Sequence, residues 1–226
     1  MTIQPDESFR AYTYNPAIKR QTWPGLYRSF VKRALDLILV LLSLPVVLPV
    51  VALLALVIFA ADRRAPFYRS DRLGRGARPF RMLKLRSMVP DADARLAAHL
   101  AADPAAAAEW DAHQKLAADP RVTRFGRILR ATSLDELPQL WNVLRGEMSL
   151  VGPRPMMPDQ KALYPGQAYW TLRPGVTGPW QVSARNASTF AARADFDADY
   201  ARNVSLGGDL RLILRTVRVV LRATGL

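Results

Sequence analysis

The longest apolar segment of this chain lies near its N-terminus and predicts a helix of membrane-spanning length. From Leu37 to Ala61 there are 25 residues without a charged side chain. At 1.5 Å per residue, such a helix is roughly 37 Å long, which is enough to cross the hydrocarbon core of a bilayer. Pro45 and Pro49 stand one helical turn apart within it, and each removes a backbone hydrogen bond and favours a bend.

Two interpretations of this segment remain open on the residues alone. Basic residues flank it on both sides, whereas a simple crossing favours a positive excess on one side only. They are Arg28, Lys32 and Arg33 before it, and Arg63, Arg64, Arg69 and Arg72 after it. A helix, a break and a second helix that enters one leaflet and returns satisfies both the flanking charge and the prolines, with Ser43 as the candidate to satisfy a freed carbonyl. The alternative is an ordinary transmembrane helix kinked at proline.

The rest of the chain predicts short strands and several helices. Residues 62–90 alternate arginine with aromatic and apolar side chains around a glycine-rich turn, which favours a hairpin of short strands. Residues 91–119 contain two alanine-rich helices divided at Asp103-Pro104, which predict a helical hairpin. We expect a mostly α protein with a small β element, divided into an N-terminal arm (1–31), a membrane helix (32–61) and a C-terminal domain (62–226).

Residues 209–222 predict an amphipathic helix. Its arginines recur at intervals of four, three and four residues, so they form one narrow stripe on a helix. They are Arg211, Arg215, Arg218 and Arg222. Leucine, isoleucine and valine cover most of the remaining surface, so we expect the helix to lie at a membrane interface with its arginines toward anionic headgroups. The alternative is a core helix with one solvent-exposed edge.

The charge balance points to partners that carry phosphate. The formal net charge is +13, and 27 arginines stand against 5 lysines. Lipid headgroups, nucleotides and nucleic acids are the classes that such a balance favours. The chain contains no cysteine, which excludes disulfides, thiolate zinc sites and cysteine nucleophiles.

The candidate chemistry lies in the central stretch from Arg130 to Pro155. Asp135 and Glu136 are adjacent and are followed by Pro138, which helices accept in their first turn, so we expect both carboxylates at or just before a helix N-terminus. Such a pair is typical of a Mg²⁺ site that also binds substrate phosphates. Arg154 between two prolines offers a planar guanidinium to phosphate oxygens. The alternative is that Ser133 and Glu136 form a capping box.

Taken together, these motifs resemble the bacterial sugar transferase family, whose members move a sugar-1-phosphate from a nucleotide sugar to a polyprenyl phosphate. The resemblance covers roughly Lys32 to Arg222 and rests on several ordered motifs. They are KRxxD from Lys32, FxxxKxRSM from Phe80, SLDELPQLWNVL from Ser133, MSLVGPRP from Met148 and RPGVTG from Arg173. The chain resembles the short members that start exopolysaccharide assembly with galactose or glucose donors.

The resemblance implies a two-step reaction at a membrane. Asp135 is expected to attack the sugar-proximal phosphate of a UDP-sugar, release UMP and hold the phosphosugar until undecaprenyl phosphate takes it. Glu136, alone or with Asp135, is expected to hold Mg²⁺. The expected phosphate-binding residues are Lys84, Arg86, Arg154, Arg173 and Arg185.

The resemblance also implies a monotopic protein with a re-entrant helix over residues 32–61, which favours the first interpretation of the apolar segment. It further implies a cytosolic catalytic domain over residues 62–226. The expected location is the cytoplasmic face of a bacterial inner membrane, with membrane lipid as a partner, no nucleic acid, and a homodimer as one candidate assembly. There are two alternatives to the two-step transferase. One is a one-step transfer in which Asp135 only binds metal, and the other is a non-enzymatic scaffold that binds anionic lipid.

Overall fold

The computed structural model describes residues 25–113, 116–183 and 189–221, which form helices and two small two-stranded sheets. The expectation of a mostly α protein with a small β element is confirmed. The helices are α1 (Lys32–Asp62), α2 (Ala92–Ala102), α3 (Pro104–His113), α4 (Arg124–Ala131), α5 (Gln139–Leu144), α6 (Pro179–Val182), α7 (Arg193–Asn203) and α8 (Leu206–Leu221). The strands are β1 (Phe67–Leu73), β2 (Pro79–Leu85), β3 (Ser149–Val151) and β4 (Gly175–Thr177).

The apolar segment forms α1, which continues without interruption through Pro45 and Pro49. Ser43 donates a hydrogen bond to the carbonyl of Val40 at 2.7 Å. Its hydroxyl therefore does not bond the carbonyl of Leu41, which loses its helical donor because Pro45 has no N–H. The residues between the two prolines are helical, so the predicted break is not an interruption of secondary structure.

One face of α1 packs against the rest of the protein near both of its ends. In the N-terminal half, Val40 joins a core cluster with Phe80, Met82, Val143 and Met148. In the C-terminal half, Ala55 and Ile58 pack against Leu85 and Leu129. The two ends of the apolar helix are thus held by the same folded domain.

The opposite face of α1 is exposed and apolar. Its exposed side chains include Ile38, Leu41, Leu42, Val46, Leu48, Leu53, Leu56, Val57 and Phe59. Within the described part of the chain, the continuous helical run Tyr27–Asp62 is the one segment long and apolar enough to cross a membrane. A face of this composition needs an apolar partner outside the domain.

Buried polar contacts fix the start of α1 on the domain. The Asp36 carboxylate accepts hydrogen bonds from the Ser149 hydroxyl at 2.7 Å and from the Leu150 N–H at 3.1 Å. The Lys32 ammonium lies 2.6 Å from the Asp209 carboxylate, which is buried at the start of α8. These contacts join three segments that are distant in the sequence.

The predicted strand hairpin is confirmed over residues 67–85. β1 and β2 pair antiparallel, with Tyr68 opposite Lys84 and Arg72 opposite Phe80. Gly76 in the connecting turn has a φ of +66°. That left-handed conformation favours glycine because other residues meet a steric clash with Cβ.

The second sheet explains the glycines in two of the sequence motifs. β3 and β4 run parallel, with Ser149 opposite Gly175 and Val151 opposite Thr177. A Cβ atom on Gly152 would lie 2.3 Å from the carbonyl oxygen of Arg173, which is far inside van der Waals contact. The backbones of the MSLVGPRP and RPGVTG motifs meet so closely that glycine is required.

The C-terminal helix α8 begins at Leu206 and buries one face on the domain, where Leu212 is 4% exposed. A second apolar stripe faces outward at Leu206, Leu210, Leu214 and Val217. Arg211 and Arg218 are exposed beside that stripe, and Arg222 lies outside the described residues. The helix therefore has a buried apolar face and an exposed apolar face, with Arg211 and Arg218 next to the exposed one.

Candidate active site

The acid pair lies in a single 3₁₀ turn, Leu134–Glu136, between α4 and α5. Pro138 immediately precedes the first residue of α5, so the pair stands just before a helix N-terminus, as predicted. The capping-box alternative is wrong. Ser133 has a left-handed conformation with φ at 56° and its side chain makes no cap hydrogen bond. Asp135 is buried, whereas Glu136 is partly exposed.

Strand β2 places Lys84 beside both acids. Its ammonium lies 2.7 Å from Oε1 of Glu136 and 3.8 Å from Oδ2 of Asp135. Asn142 on α5 fixes this arrangement because its side chain bonds the N–H of Leu83 at 3.0 Å and the carbonyl of Arg81 at 2.8 Å. The helix that follows the acids is thereby tied to the strand that carries the lysine.

Opposing forces act on the Asp135 carboxyl. Burial raises its pKa, and the negative charge of Glu136 acts in the same direction. The cations of Lys84 and Arg130 favour the charged form and limit the rise, but the net direction is upward. A carboxylate in this setting is poorly solvated and lies against cations, which is a suitable state for a nucleophile directed at phosphorus.

Further arginines meet in a cleft next to Glu136 and Lys84. Arg72 and Arg154 line it together with Gln139 and Gln181, and the enclosed space is about 30 Å³. Arg154 lies over the Trp180 ring with its guanidinium 5.6 Å from the ring centre. The cleft itself holds about one water molecule, so a nucleotide sugar must bind across its open side or displace side chains.

A third arginine stands behind this cleft. Arg193 is 6% exposed and its guanidinium lies 4.3 Å from the Trp180 ring centre and 4.4 Å from that of Phe190. Burial, followed by the charge of Arg154, lowers the pKa of Arg193 to about 9. The pKa of Arg72 is lowered for the same two reasons, in the same order. Positive charge is therefore concentrated beside the acid pair, and phosphate oxygens are its natural counterpart.

Comparison with known proteins places this chain in a family. Residues 27–223 match the bacterial sugar transferase family. The chain belongs to that family. It is 46% identical over 198 residues to the UDP-galactose-lipid carrier transferase of Erwinia amylovora, covering 87% of this chain and 41% of that protein.

Two further relatives match over most of their own length. The exopolysaccharide production protein ExoY of Sinorhizobium fredii is 41% identical over 196 residues, which cover 86% of this chain and 87% of that protein. The UDP-glucose:undecaprenyl-phosphate glucose-1-phosphate transferase of Caulobacter vibrioides is 40% identical over 196 residues, or 82% of this chain and 68% of that protein. The predicted resemblance to the bacterial sugar transferase family is confirmed.

The predicted phosphate-binding residues of this family member divide between different places. Lys84 and Arg154 both line the cleft at the acid pair. Arg86 instead makes two hydrogen bonds of 2.6 Å to Asp62 at the end of α1. Arg173 donates to the carbonyl of Gly146 at 2.9 Å and lines a different cavity. Arg185 lies outside the described residues.

Three arginines at the acid pair are absent from the set of phosphate-binding residues that the sequence predicted. Arg72 could have been predicted from the hairpin. It lies opposite Phe80, and residues 80 and 84 of one strand point to the same face, so Arg72 shares a face with Lys84. Arg130 donates to the Ser87 hydroxyl at 2.9 Å and opens the central stretch, yet nothing local connects it to Asp135. Arg193 reaches the site only through the packing of α7 on Trp180.

The donors present fit a divalent cation that shares its ligands with a substrate. In the described part of the chain, no group of three or more histidine, cysteine or acidic side chains converges. Asp135 and Glu136 supply two adjacent carboxylates. Mg²⁺ commonly binds through one or two carboxylates and takes its remaining ligands from phosphates and water. This pair fits that pattern, and it does not fit an all-protein metal site.

Proposed function

We propose that this protein transfers a hexose-1-phosphate from a UDP-sugar to undecaprenyl phosphate, with galactose or glucose as the hexose. The observation that carries the proposal is the buried Asp135 carboxylate held against Lys84, with Arg72 and Arg154 alongside. The printed names of the Erwinia and Caulobacter relatives support the donor and acceptor classes. The product begins a lipid-linked exopolysaccharide repeat unit, in keeping with the name of the Sinorhizobium relative.

The first step is an attack by a carboxylate oxygen of Asp135 on the phosphorus next to the sugar. A bond from that oxygen to phosphorus forms, the phosphoanhydride bond breaks, and UMP leaves with the bonding electrons. The phosphosugar then stands on Asp135 as an acyl phosphate. Lys84 and Arg154 stabilise the charge that grows on the phosphate oxygens, because guanidinium and ammonium groups bind charged oxygens strongly.

The second step returns the enzyme to its starting state. A phosphate oxygen of the polyprenyl phosphate attacks the same phosphorus, and the bond to Asp135 breaks with its electrons returning to the carboxylate. Glu136, alone or with Asp135, would hold Mg²⁺, which would supply charge neutralisation at the transferring phosphate. Two displacements at one carboxylate also let the water-soluble UMP leave before the lipid acceptor is used.

A re-entrant arrangement of α1 at the cytoplasmic face of the inner membrane completes the proposal. The packed residues Val40 and Ala55 are 15 positions apart, which is about 22 Å of helix. A hydrocarbon core of about 30 Å is thicker than that distance. If α1 crossed the membrane, Val40 or Ala55 would therefore lie inside the hydrocarbon core, together with the part of the domain that packs against it. The exposed apolar stripe of α8 supports the same membrane face.

Release of UMP tests the reaction. Purified protein in detergent, given a UDP-hexose, Mg²⁺ and undecaprenyl phosphate, is expected to release UMP. Asp135→Asn keeps the shape of the side chain and should abolish release, and unchanged turnover would refute the nucleophile assignment.

A second experiment separates the two-step route from a one-step transfer. With labelled donor and no acceptor, label retained on denatured protein supports the two-step route. Full turnover without any retained label favours the one-step rival, in which Asp135 only binds metal.

Topology is tested with single cysteines, because the native chain has none. Ser29 and Arg64 are both exposed and flank α1. Ser29→Cys and Arg64→Cys should both react with a membrane-impermeant maleimide added to inverted inner-membrane vesicles, and neither should react in intact spheroplasts. Labelling of the two positions from opposite sides would establish a crossing.

A further inference from the structure

A second cavity lies away from the acid pair. It measures about 580 Å³ and lies between the β1–β2 turn and the segment that follows α5. Arg75 and Arg78 line it from the turn, and Arg145, Glu147 and Arg173 line it from the other side. Ligand-binding clefts typically measure about 300–1,000 Å³. The cavity is thus large enough to enclose a ligand, whereas the cleft at the acids encloses about one water molecule.

Its lining carries four arginines and a single carboxylate. That carboxylate, Glu147, is already engaged by Arg145 at 3.2 Å and by the Asn142 amide at 2.7 Å. Burial lowers the pKa of Arg173, and the charges of Arg33 and Arg75 lower it further. The side chains of Arg75 and Arg78 make no hydrogen bond or ion pair with any residue that the structure describes. The arginines repel one another, and an anionic ligand would relieve that repulsion.

The cavity lies where the apolar helix enters the domain. Arg33, in the first turn of α1, donates to the carbonyls of Val143 and Leu144 at 2.6 and 3.0 Å, directly before the Gly146 turn that lines the cavity. On the other side of the cavity, the Arg75–Ala77 turn packs against the turn that contains Thr171.

The segment before α1 reaches the same place. The Arg28 guanidinium, from that segment, donates to the Thr171 hydroxyl at 3.0 Å. Leu26 and Phe30 next to it are 75% and 71% exposed. Exposed apolar side chains among basic residues are typical of a membrane interface.

From these observations we propose that the cavity lined by Arg75, Arg78, Arg145 and Arg173 binds the phosphate of an anionic membrane lipid headgroup. The site is separate from the acid pair. Phe80, which also lines the cavity, is four residues along β2 from Lys84, or about 13 Å of strand. One phosphate cannot contact both places.

The position of the cavity favours a lipid over a soluble phosphate. Anionic headgroups are concentrated at the cytoplasmic leaflet, and basic residues near that surface attract them. A headgroup bound here would hold the β1–β2 hairpin, and with it Arg72 and Lys84, at a fixed depth beside the membrane. This role does not depend on the identity of the sugar donor or on the proposed reaction.

The experiment uses the full chain in a non-ionic detergent and measures the binding of short-chain phosphatidylglycerol by calorimetry. Arg75→Gln/Arg78→Gln is the test variant, because both side chains lie on an exposed turn without intramolecular bonds. Arg69→Gln/Arg81→Gln is the matched control. It removes the same charge from the same hairpin, and both of its residues are exposed on the other face of the strands. Phosphatidylcholine, inorganic phosphate and UDP are titrated in parallel.

We expect phosphatidylglycerol to bind the native protein and the control alike, and to bind the test variant about tenfold or more weakly, since it loses two charge-assisted contacts. Equal binding by all three proteins would overturn the proposal. If inorganic phosphate binds as tightly as phosphatidylglycerol with the same sensitivity, the ligand is a free phosphate. If UDP loses affinity in the test variant as much as the lipid does, the cavity is a nucleotide site. Either of these results would overturn the lipid assignment.

Discussion

Removing the positive charge of Lys84 should move the acid limb of the pH–activity profile to higher pH. The ammonium lies 3.8 Å from Oδ2 of Asp135 and favours its ionised form. At an effective dielectric constant of about 20, two charges at this distance interact by about 4 kcal/mol, which corresponds to about three pKa units. Solvent reaches 20% of the lysine side chain, so we expect a smaller shift for Lys84→Met, of roughly one to two units.

The assay is UMP release measured as kcat/KM between pH 5 and 9, because this parameter reports the ionisation of the free enzyme. Lys84→Met also loses a phosphate contact, which lowers the height of the profile but does not move its acid limb. The position of the limb is therefore the informative readout. Lys84→Arg retains the charge and should leave the limb near its native position.

Glu136→Gln supplies a control of opposite sign. The negative charge of Glu136 raises the pKa of Asp135, so its removal should move the acid limb to lower pH even where turnover falls. If Lys84→Met and Glu136→Gln both leave the limb at the native position, Asp135 is not the group whose ionisation limits the reaction. The electrostatic account of the site would then be wrong.

Three further predictions concern stability. Burial raises the pKa of Asp197 from 3.8 to about 7, so the native state holds an extra proton between about pH 4 and pH 7. The free energy of unfolding should therefore fall as pH rises across that range, by on the order of 4 kcal/mol. Denaturant titrations at several pH values should show this fall in the native protein and not in Asp197→Asn. Asp36→Ala leaves the Ser149 hydroxyl and the Leu150 N–H without their acceptor and should cost about 2–4 kcal/mol in the same measurement, with an unchanged midpoint as the contrary result. Gly152→Ala places Cβ 2.3 Å from a carbonyl oxygen, so it should abolish folding or lower the thermal midpoint by about 10 °C or more, whereas exposed Gly207→Ala should not.

Local features of the sequence were sufficient to place α1, the hairpin and the acid pair. The absence of charge over Leu37–Ala61 identifies α1, and the alternation around Gly74 and Gly76 identifies the hairpin. Pro138 places Asp135 and Glu136 just before a helix. These are short-range properties, since helix and strand periodicity, proline geometry and left-handed glycine turns depend on neighbouring residues only.

Only the tertiary structure decided which cations meet the acids. Lys84 and Arg86 are two residues apart and equally charged, yet one meets Glu136 and the other meets Asp62. Arg173 belongs to a motif adjacent to the site but lines the other cavity, while Arg193 arrives from α7. The sequence alone does not determine which opposite charge a side chain meets, because Coulomb attraction depends on distance in space and on burial. Those distances are set by the packing of α1, β2 and α5, which no single motif contains.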